Sequence, residues 1–511
     1  MRKIGNWLYY AIKHIHIFII SIIICICMTS SQVDYVCRKT ELNLYPLIYV
    51  VLGIGVLFLL YGLVCWLAPY LRRVEQKRLC VIIISFVFFV VLTILAYNYY
   101  FICGWDVGIV YDVACAIADG NAAGLSHYYM SVNPNNVFIS YVVAVLIKFS
   151  RLFGNIDGRF IVIFVQCFLF AHGSYLVWEI GYCVYGAKAA TWSWVVYAGL
   201  VGLSPWVIVP YTDAMGLIFP VGQVYLCLKI LDKRKGRNIR IFLLGMLMYI
   251  GMQIKMQSVI VGIAVFIVLL LQYMRGRING SIKDYVIAAV SFVGGVILTA
   301  GVVSLCISST GLQIDKTLSK SPTHYLMMGL NEETNGVFDE SDCYFSLSYL
   351  DKTERTVAEL KEIKRRVEGM GISGLVNLWK KKILTNYNDG SFAWWEEGNF
   401  YKGSGTDVDN WLARFLKNYY YKDGNYFAYF INIAHVLWLG VLVLNILAFF
   451  DDKTDYVVYI MFLSLVGIML FELLFEGRAR YIFTYVPIYI LMACGSANRV
   501  IEKTKDEYEK K

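Results

Sequence analysis

Residues 79–101 read LCVIIISFVFFVVLTILAYNYYF, and this stretch decides the fold class. It contains no Asp, Glu, Lys or Arg, whereas Arg78 directly precedes it and Asp106 closely follows it. A helix that crosses a lipid bilayer needs about 20 predominantly apolar residues, and this stretch supplies them. The pattern therefore predicts a membrane-spanning helix with charged residues at both ends.

The composition extends this prediction to the whole chain. Of the 511 residues, 59% are hydrophobic and 16% are charged, whereas soluble domains are about 45–50% apolar and about 25% charged. This balance excludes a cytosolic globular enzyme, a disordered chain and a secreted disulfide scaffold. We predict an all-α polytopic membrane protein with about twelve spans. They lie near residues 12–30, 45–68, 79–101, 160–184, 187–210, 214–231, 240–254, 256–273, 284–307, 427–450, 456–475 and 481–496.

The net charge of +9 sets the predicted orientation. Cytoplasmic loops of membrane proteins carry an excess of Lys and Arg. The basic clusters at 72–78, 233–240, 275–283 and beyond 498 all fall on one side of this plan. The sequence therefore predicts a multi-pass protein of the cell membrane with both termini in the cytoplasm. Because the basic residues are explained by orientation, they are no argument for a nucleic-acid partner.

Residues 136–153 (NVFISYVVAVLIKFSRLF) are apolar enough to suggest a short span. Counting them as a span would turn the basic loop at 232–240 outward, so we interpret them as a helix at the outer membrane interface. Two outer segments, 103–159 and 308–426, are too long to be simple turns. Segments of this length are usually functional or form small domains, so we expect the chemistry to face outward.

This plan divides the chain into five parts. They are two N-terminal transmembrane helices (1–78), a transmembrane module that includes the first outer loop 103–159 (79–307), an extracytoplasmic loop or domain (308–426), C-terminal transmembrane helices (427–498) and a cytoplasmic tail (499–511).

Two acidic residues at predicted outer helix ends are candidates for catalysis. Asp106 follows a span, where a carboxylate could act as a general base on a substrate hydroxyl. The plain alternative is that Asp106 is an acidic residue that ends a helix in a solvated loop. The sequence also leaves Asp112 and Asp119 as candidates for the base. Asp213 lies in a short connection between two apolar helices and could reach the same cavity as Asp106.

A polar and aromatic segment precedes the predicted interfacial helix, and it suits binding of a sugar or a lipid headgroup. The alternative is a turn with a helix cap, which Asn-Pro-Asn-Asn would form in any protein. The candidate binding residues are His127, Tyr128, Tyr129, Asn133 and Asn135.

Positive charges on the predicted outer side are few and therefore informative. Arg159 opposes the dipole of the helix that it begins, which either a lipid phosphate or snorkelling to headgroups would explain. Lys255 interrupts an apolar stretch, and an ionisable residue among membrane helices is a functional candidate. Arg478 and Arg480, in the sequence EGRARY at 476–481, form a candidate anion site.

Taken in chain order, these elements resemble the GT-C superfamily of polyprenol-phosphate-sugar-dependent glycosyltransferases. The closest likeness is to the bacterial branch related to protein O-mannosyltransferases and the aminoarabinose transferase of lipid A. The resemblance covers residues 80–310 and 425–500. It rests on Asp106, the segment 128–136, Arg159, Tyr211 with Asp213, Lys255 and the element 476–481, and the sequence HYLMMGL at 324–330 looks like a segment of bacterial members with large outer loops.

The resemblance implies a GT-C-like helix bundle and an inverting sugar transfer. The donor would be a polyprenyl-phosphate-linked sugar, and the acceptor an extracytoplasmic polymer, lipid or protein of the cell envelope. Asp106 would be the base and Asp213 a second catalytic acidic residue. Residues implied for the donor phosphate are Arg159, Lys255, Arg478, Arg480 and Tyr481. Residues implied for substrate binding are His127, Tyr128, Tyr129, Asn133, Asn135, Tyr211, His324 and Glu476.

Two points stay open on the sequence. Many relatives carry an acidic pair where this chain has Asp106-Val107, so the resemblance leaves open whether a divalent cation bridges Asp106 and Asp213. A transporter or flippase of a lipid-linked glycan is an alternative function, although such proteins carry polar groups at the membrane midplane and here Glu179 alone fits that pattern. A non-catalytic envelope assembly factor is the other alternative.

Overall fold

Long helices form most of the computed structural model, which describes residues 2–30, 32–35, 38–41, 43–75, 78–122, 128–154, 156–232, 235–277, 281–397, 400–451 and 455–509. The helices are α1 (Arg2–Cys27), α2 (Pro46–Glu75), α3 (Arg78–Tyr99), α4 (Trp105–Asp119), α5 (Tyr128–Val132), α6 (Asn135–Arg151), α7 (Gly158–Tyr185), α8 (Ala187–Tyr197), α9 (Thr212–Gly216), α10 (Ile218–Asp232), α11 (Arg237–Ile254), α12 (Val259–Met274), α13 (Ile282–Ser308), α14 (Pro322–Gly329), α15 (Glu340–Leu347), α16 (Lys352–Tyr387), α17 (Trp394–Glu397), α18 (Trp411–Tyr420), α19 (Phe427–Leu444), α20 (Tyr456–Leu474), α21 (Ala479–Ile482) and α22 (Val486–Glu509).

The described residues also form four short strands: β1 (Gln32–Tyr35), β2 (Arg38–Glu41), β3 (Phe101–Cys103) and β4 (Tyr401–Ser404). They form two antiparallel pairs, β1 with β2 and β3 with β4. The second pair joins residues that are far apart in sequence, since Phe101 lies opposite Ser404 and Cys103 opposite Tyr401. It ties the segment before Asp106 to the large connection between α13 and α19.

Nine helices within the described ranges are long and apolar enough to cross a membrane, and each overlaps a predicted span. They are Arg2–Cys27, Pro46–Ala68, Arg78–Tyr99, Gly158–Tyr185, Thr212–Leu231, Met256–Met274, Ile282–Ser308, Phe427–Phe450 and Tyr456–Leu474. The prediction of an all-α polytopic membrane protein is therefore confirmed.

The other three predicted spans, 187–210, 240–254 and 481–496, are less regular or less apolar. The first begins as α8, continues as a π-helical turn over Ala198–Gly202 and ends in a 3-10 turn over Pro205–Ile208. Pro205 has no backbone N–H for a helical hydrogen bond, so a break is expected there. The second lies in α11, and the third is divided among α21, a 3-10 turn over Phe483–Tyr485 and α22.

The C-terminal helix α22 runs through the middle of the bundle. Every residue from Val486 to Arg499 is buried, and α22 packs against α7, α8 and α19. The helix continues to Glu509, but its residues from Lys503 to Glu509 are exposed. The predicted tail 499–511 thus begins where α22 leaves the core.

Charged groups lie at the end of the bundle that carries the predicted cytoplasmic clusters. Glu179 is buried, and its carboxylate contacts Lys229 at 3.0 Å and Arg78 at 3.2 Å. On α22, Arg499 contacts Asp451 at 2.7 Å. Glu179 therefore belongs to a charged cluster near one end of α7 and does not stand alone at midspan.

The large connection, residues 309–426, contains α14 to α18 and β4. Its longest helix, α16, is broken at Gly371, which has a φ of 59°. A positive φ is accessible to glycine without the steric cost that other residues meet. The second half of α16 packs against α20 and α21, so this connection reaches the junction between the last helices.

Candidate functional site

Four helix junctions meet at the end of the bundle opposite Glu179, which we call the site end. They are the connections from α3 to α4, from α8 to α9, from α11 to α12 and from α20 to α21. In each of them the helix is interrupted next to a charged residue. The interruptions allow side chains from four different parts of the sequence to approach one another.

Asp106 lies in the first turn of α4 and is half-buried. The backbone before it is fixed by the pairing of β3 with β4 and by a 2.6 Å hydrogen bond from the Gly104 N–H to the Phe400 carbonyl. Trp105, between them, has a φ of 57°, which is an outlier for a bulky residue. A carboxylate in the first turn of a helix lies next to the partial positive charge of the helix N-terminus.

Hydrogen-bonding side chains connect Asp106 to the α8–α9 junction. The Tyr129 hydroxyl donates to the Asp106 carboxylate and accepts a 2.7 Å hydrogen bond from Asn136 Nδ2. The Asn136 Oδ1 atom in turn lies 3.5 Å from the Tyr211 hydroxyl. Burial and the Asp106 charge raise the pKa of Tyr129, so Tyr129 stays protonated and remains a donor to Asp106.

Asp213 is fully buried and faces two cations. Its Oδ1 atom lies 2.5 Å from Lys255 Nζ, and its Oδ2 atom lies 4.0 Å from Arg480 Nε. The second distance is too long for a hydrogen bond, and Oδ2 has no hydrogen-bond partner among the described residues. Buried charges are stable only when they are paired, so Asp213 holds Lys255 in the site and orients its ammonium group.

The position of Lys255 follows from a break between α11 and α12. The helix ends at Ile254, and a 3-10 turn over Met256–Ser258 follows. The turn is held by hydrogen bonds to the Gln257 carbonyl from Tyr485 (2.6 Å) and to the Ser258 carbonyl from Gln223 (3.0 Å). Burial lowers the pKa of Lys255, and the nearby Arg480 contributes, although Asp213 opposes the change.

Aromatic rings hold the two cations. The Arg480 guanidinium lies 3.9 Å from the centre of the Trp105 ring, and Lys255 Nζ lies 4.2 Å from the centre of the Tyr481 ring. The Trp105 ring also stacks on Phe400 of the large connection, with centroids 5.0 Å apart. Cation–π contacts of this kind stabilise partly desolvated cations. Lys255 and Arg480 therefore form a cationic pair, and Asp106 directly follows Trp105, whose ring contacts Arg480.

A second charged cluster borders the first and involves the large connection. Lys382 of α16 is buried and donates to the carbonyls of Gly329 (2.9 Å) and Phe475 (2.5 Å). Burial lowers the pKa of Lys382 to about 8, and Glu472 and Glu476 oppose this change. Arg478 pairs with Glu476 at 3.6 Å. The resemblance implies that Arg478 binds the donor phosphate, but the Glu476 carboxylate already pairs with Arg478 and offsets its positive charge.

Arg159 contacts a residue of α4 and the residue before α7. Its guanidinium lies 4.2 Å from the centre of the Tyr111 ring and 3.9 Å from Asp157. It lines an open cleft together with Asp112 and Lys402. Neither Lys255 nor Arg480, with which the sequence grouped Arg159, lines this cleft.

Several predicted binding residues have local structural contacts instead. The His324 ring is buried 2.8 Å from Ser346 Oγ, and burial with Lys320 and Arg355 lowers its pKa to about 3. Asn133 bonds the Tyr129 carbonyl at the end of α5. Asn135 is exposed, its amide donating to Asn136, and Tyr128 is exposed. His127 lies outside the described residues.

Some residues of the site were not singled out by sequence reasoning. Trp105 directly precedes the predicted Asp106, so this adjacency was the available signal. Asn136 ends the segment 128–136 that carries the resemblance, although it was not named as a candidate. Tyr325 is the electrostatic neighbour of both Asp106 and Glu476, and it follows the predicted His324 by one residue. Lys382 carries no sequence signal because it is the last of three consecutive lysines.

A bridging divalent cation does not fit the Asp213 side of the site. Both carboxylate oxygens of Asp213 face cations, Lys255 and Arg480, which would repel a metal ion. Across the described ranges, no group of three or more His, Cys, Asp and Glu side chains is placed to hold a metal.

The comparisons with known proteins identify the family. A family model described as "Conserved hypothetical integral membrane protein" matches residues 4–501. No curated protein and no solved structure matches the chain. Since the match covers nearly the whole sequence, the chain belongs to this family of conserved integral membrane proteins.

Proposed function

We propose that the protein is a membrane glycosyltransferase that moves a sugar from a polyprenyl-phosphate donor to a cell-envelope acceptor, with inversion at the anomeric carbon. The observation that carries this proposal is the proximity of a half-exposed carboxylate and a buried cationic pair. Asp106 follows Trp105, and the Trp105 ring contacts Arg480, which shares Asp213 with Lys255. The site end would face the outside of the cell, in agreement with the basic clusters at the opposite end.

Each part of this arrangement has a role in the proposed reaction. Asp106 accepts the proton of the acceptor hydroxyl, whose oxygen forms the new bond to the anomeric carbon. The bond from that carbon to the phosphate oxygen breaks, and the electron pair leaves with the phosphate. Lys255 and Arg480 stabilise the charge that increases on the leaving phosphate in the transition state. Tyr129 orients Asp106 through its hydrogen bond.

Asp213 has a different role from the one that the resemblance implies. It is buried and in contact with Lys255, so it is poorly placed to remove a proton from a substrate. We assign it to positioning the cationic pair. The large connection contributes Phe400 and the β4 strand, which fix the backbone next to Asp106, and it would restrict the entry of water.

Transfer assays test the proposal directly. The purified protein in lipid nanodiscs is incubated with a radiolabelled polyprenyl-phosphate hexose and envelope fractions, and labelled product is measured. Asp106→Asn should reduce transfer about 10²- to 10⁴-fold, the contribution typical of general base catalysis. Asp119→Asn is the matched control because Asp119 is on the same helix and pairs with Arg151 at the surface.

This assay and two further measurements distinguish the proposed function from its alternatives. Undiminished transfer by Asp106→Asn would remove Asp106 as the base. Movement of a lipid-linked glycan across proteoliposomes without bond formation would support a flippase. Full cellular function after Asp106 and Asp213 are both neutralised would support an assembly factor.

A further inference from the structure

A second concave surface lies beside the proposed active site. It is an open cleft lined by residues of β3, α4 and β4 and by Arg159 and Pro210. Its charged lining residues are Arg159, Asp112 and Lys402. Neither cation of the Lys255–Arg480 pair lines this cleft.

The cleft and the proposed active site involve adjacent residues of the chain. Val107 and Pro210 line the cleft, and their sequence neighbours Asp106 and Tyr211 belong to the hydrogen-bonded network of the proposed active site. A ligand in the cleft would therefore lie next to the base without occupying the position of the donor phosphate. This is the geometry required of a second substrate.

Arg159 is available to a ligand in the cleft. The carboxylate of Asp157 is already bound by the Arg159 backbone N–H at 2.9 Å and by the Tyr100 hydroxyl at 3.1 Å. The Arg159 guanidinium lies 3.9 Å from Asp157, beyond hydrogen-bond distance, and its side chain is 29% exposed. The Tyr111 ring supports one face of the guanidinium and leaves its N–H edge for an oxyanion.

We propose that this cleft binds the acceptor, and that the acceptor carries a phosphodiester close to the hydroxyl that receives the sugar. The Arg159 guanidinium fits two phosphate oxygens, and Lys402 supplies a second positive charge. Asp112 accepts hydrogen bonds from neighbouring hydroxyls of the same ligand. Naming the ligand an acceptor rests on the proposed glycosyltransferase function. The inference that the cleft binds a phosphodiester rests only on the residues that line it.

The binding test uses glycerophosphoglycerol as the probe, since it contains a phosphodiester and hydroxyl groups. Its affinity for the full-length protein in nanodiscs is measured by calorimetry. Arg159→Gln and Lys402→Gln should each weaken binding about tenfold, as expected for charge-assisted hydrogen bonds. Arg159→Lys should have a smaller effect. Arg151→Gln, which alters a surface cation paired with Asp119, should leave the affinity unchanged.

The outcomes distinguish this inference from the proposed function. Equal affinities of the wild type, Arg159→Gln and Lys402→Gln would overturn the acceptor site, as would equal binding of glucuronate, which carries a carboxylate instead. In a parallel measurement, farnesyl phosphate binding should depend on Arg480 and not on Arg159. Equal binding of farnesyl phosphate by the wild type and an Arg480 variant would contradict the proposed donor site. It would not affect the result for the phosphodiester probe.

Discussion

The Arg480 guanidinium lies 3.9 Å from the centre of the Trp105 ring, and Trp105 has a φ of 57°. A backbone in this region costs about 1–3 kcal/mol for a residue other than glycine. A desolvated cation–π contact contributes about 2 kcal/mol, so the contact is large enough to offset the strain. The conformation of Trp105 and the position of Arg480 therefore support each other.

This relationship makes Trp105→Leu informative. We expect the substitution to lower transfer activity about tenfold, because it removes a contact of about 2 kcal/mol or less and frees both Arg480 and the backbone before Asp106. Trp105→Phe should retain most of the activity. The control is Trp411→Leu, since the Trp411 side chain is 73% exposed on α18. Equal activities of Trp105→Leu and Trp105→Phe would contradict a role for the aromatic face.

The pair formed by Asp213 and Lys255 should show strong coupling. Asp213→Asn leaves a buried ammonium without its counter-charge, and breaking a buried pair costs about 3–5 kcal/mol. We expect Asp213→Asn and Lys255→Met to lower the thermal midpoint strongly, and the double variant to be less destabilised than the sum of the two. Unfolding followed by circular dichroism in detergent measures the cycle, and additive effects would show that the two side chains act independently.

The alkaline limit of activity should depend on Lys255. The proposed donor site requires a protonated ammonium, and burial lowers the pKa of this lysine. As pH rises, Lys255 therefore loses its charge earlier than an ordinary lysine with a pKa of about 10.4. In Lys255→Arg the residue stays charged at every accessible pH, so the alkaline fall of kcat/KM should move to higher pH. An unchanged alkaline limb would assign it to another group.

Two glycines of the large connection should respond oppositely to alanine. A Cβ on Gly329 would lie 2.4 Å from the Leu474 carbonyl oxygen, whereas a Cβ on Gly369 in α16 would have no atom within 4 Å. Gly329→Ala should therefore lower the thermal midpoint and loosen α14 from the α20–α21 junction. Gly369→Ala should raise stability by about 0.5–1 kcal/mol through helix propensity. Hydrogen exchange of α14 reports the first effect, and a stable Gly329→Ala protein would show that this contact is not tight.

The sequence was sufficient to locate the candidate membrane-spanning helices and to identify the charged residues next to the breaks between them. Long apolar runs are local properties of the chain, so hydropathy located the nine candidate spans. Asp213 and Lys255 were identified because charge is rare among apolar helices, and the structure brings them within 2.5 Å.

The sequence did not predict which neighbouring element each side chain on a helix contacts. Arg159 lies in the first turn of α7 as expected, and its guanidinium lies against the Tyr111 ring, a contact that hydropathy and charge patterns do not specify. Likewise, Lys380, Lys381 and Lys382 are equivalent by sequence, and only the break at Gly371 and the packing of α16 determine that Lys382 is buried. Trp105 is an aromatic residue in an aromatic-rich chain, so its strained backbone had no sequence signal.

The pairing of β3 with β4 has a consequence for biosynthesis. Phe101–Cys103 and Tyr401–Ser404 are separated by about 300 residues, and ribosomes add about 5–20 residues per second. The segment that fixes Asp106 is therefore synthesised some 15–60 seconds before its partner strand. A nascent chain would hold the first helices in the membrane with an incomplete site, and assembly of that site would mark the end of translation.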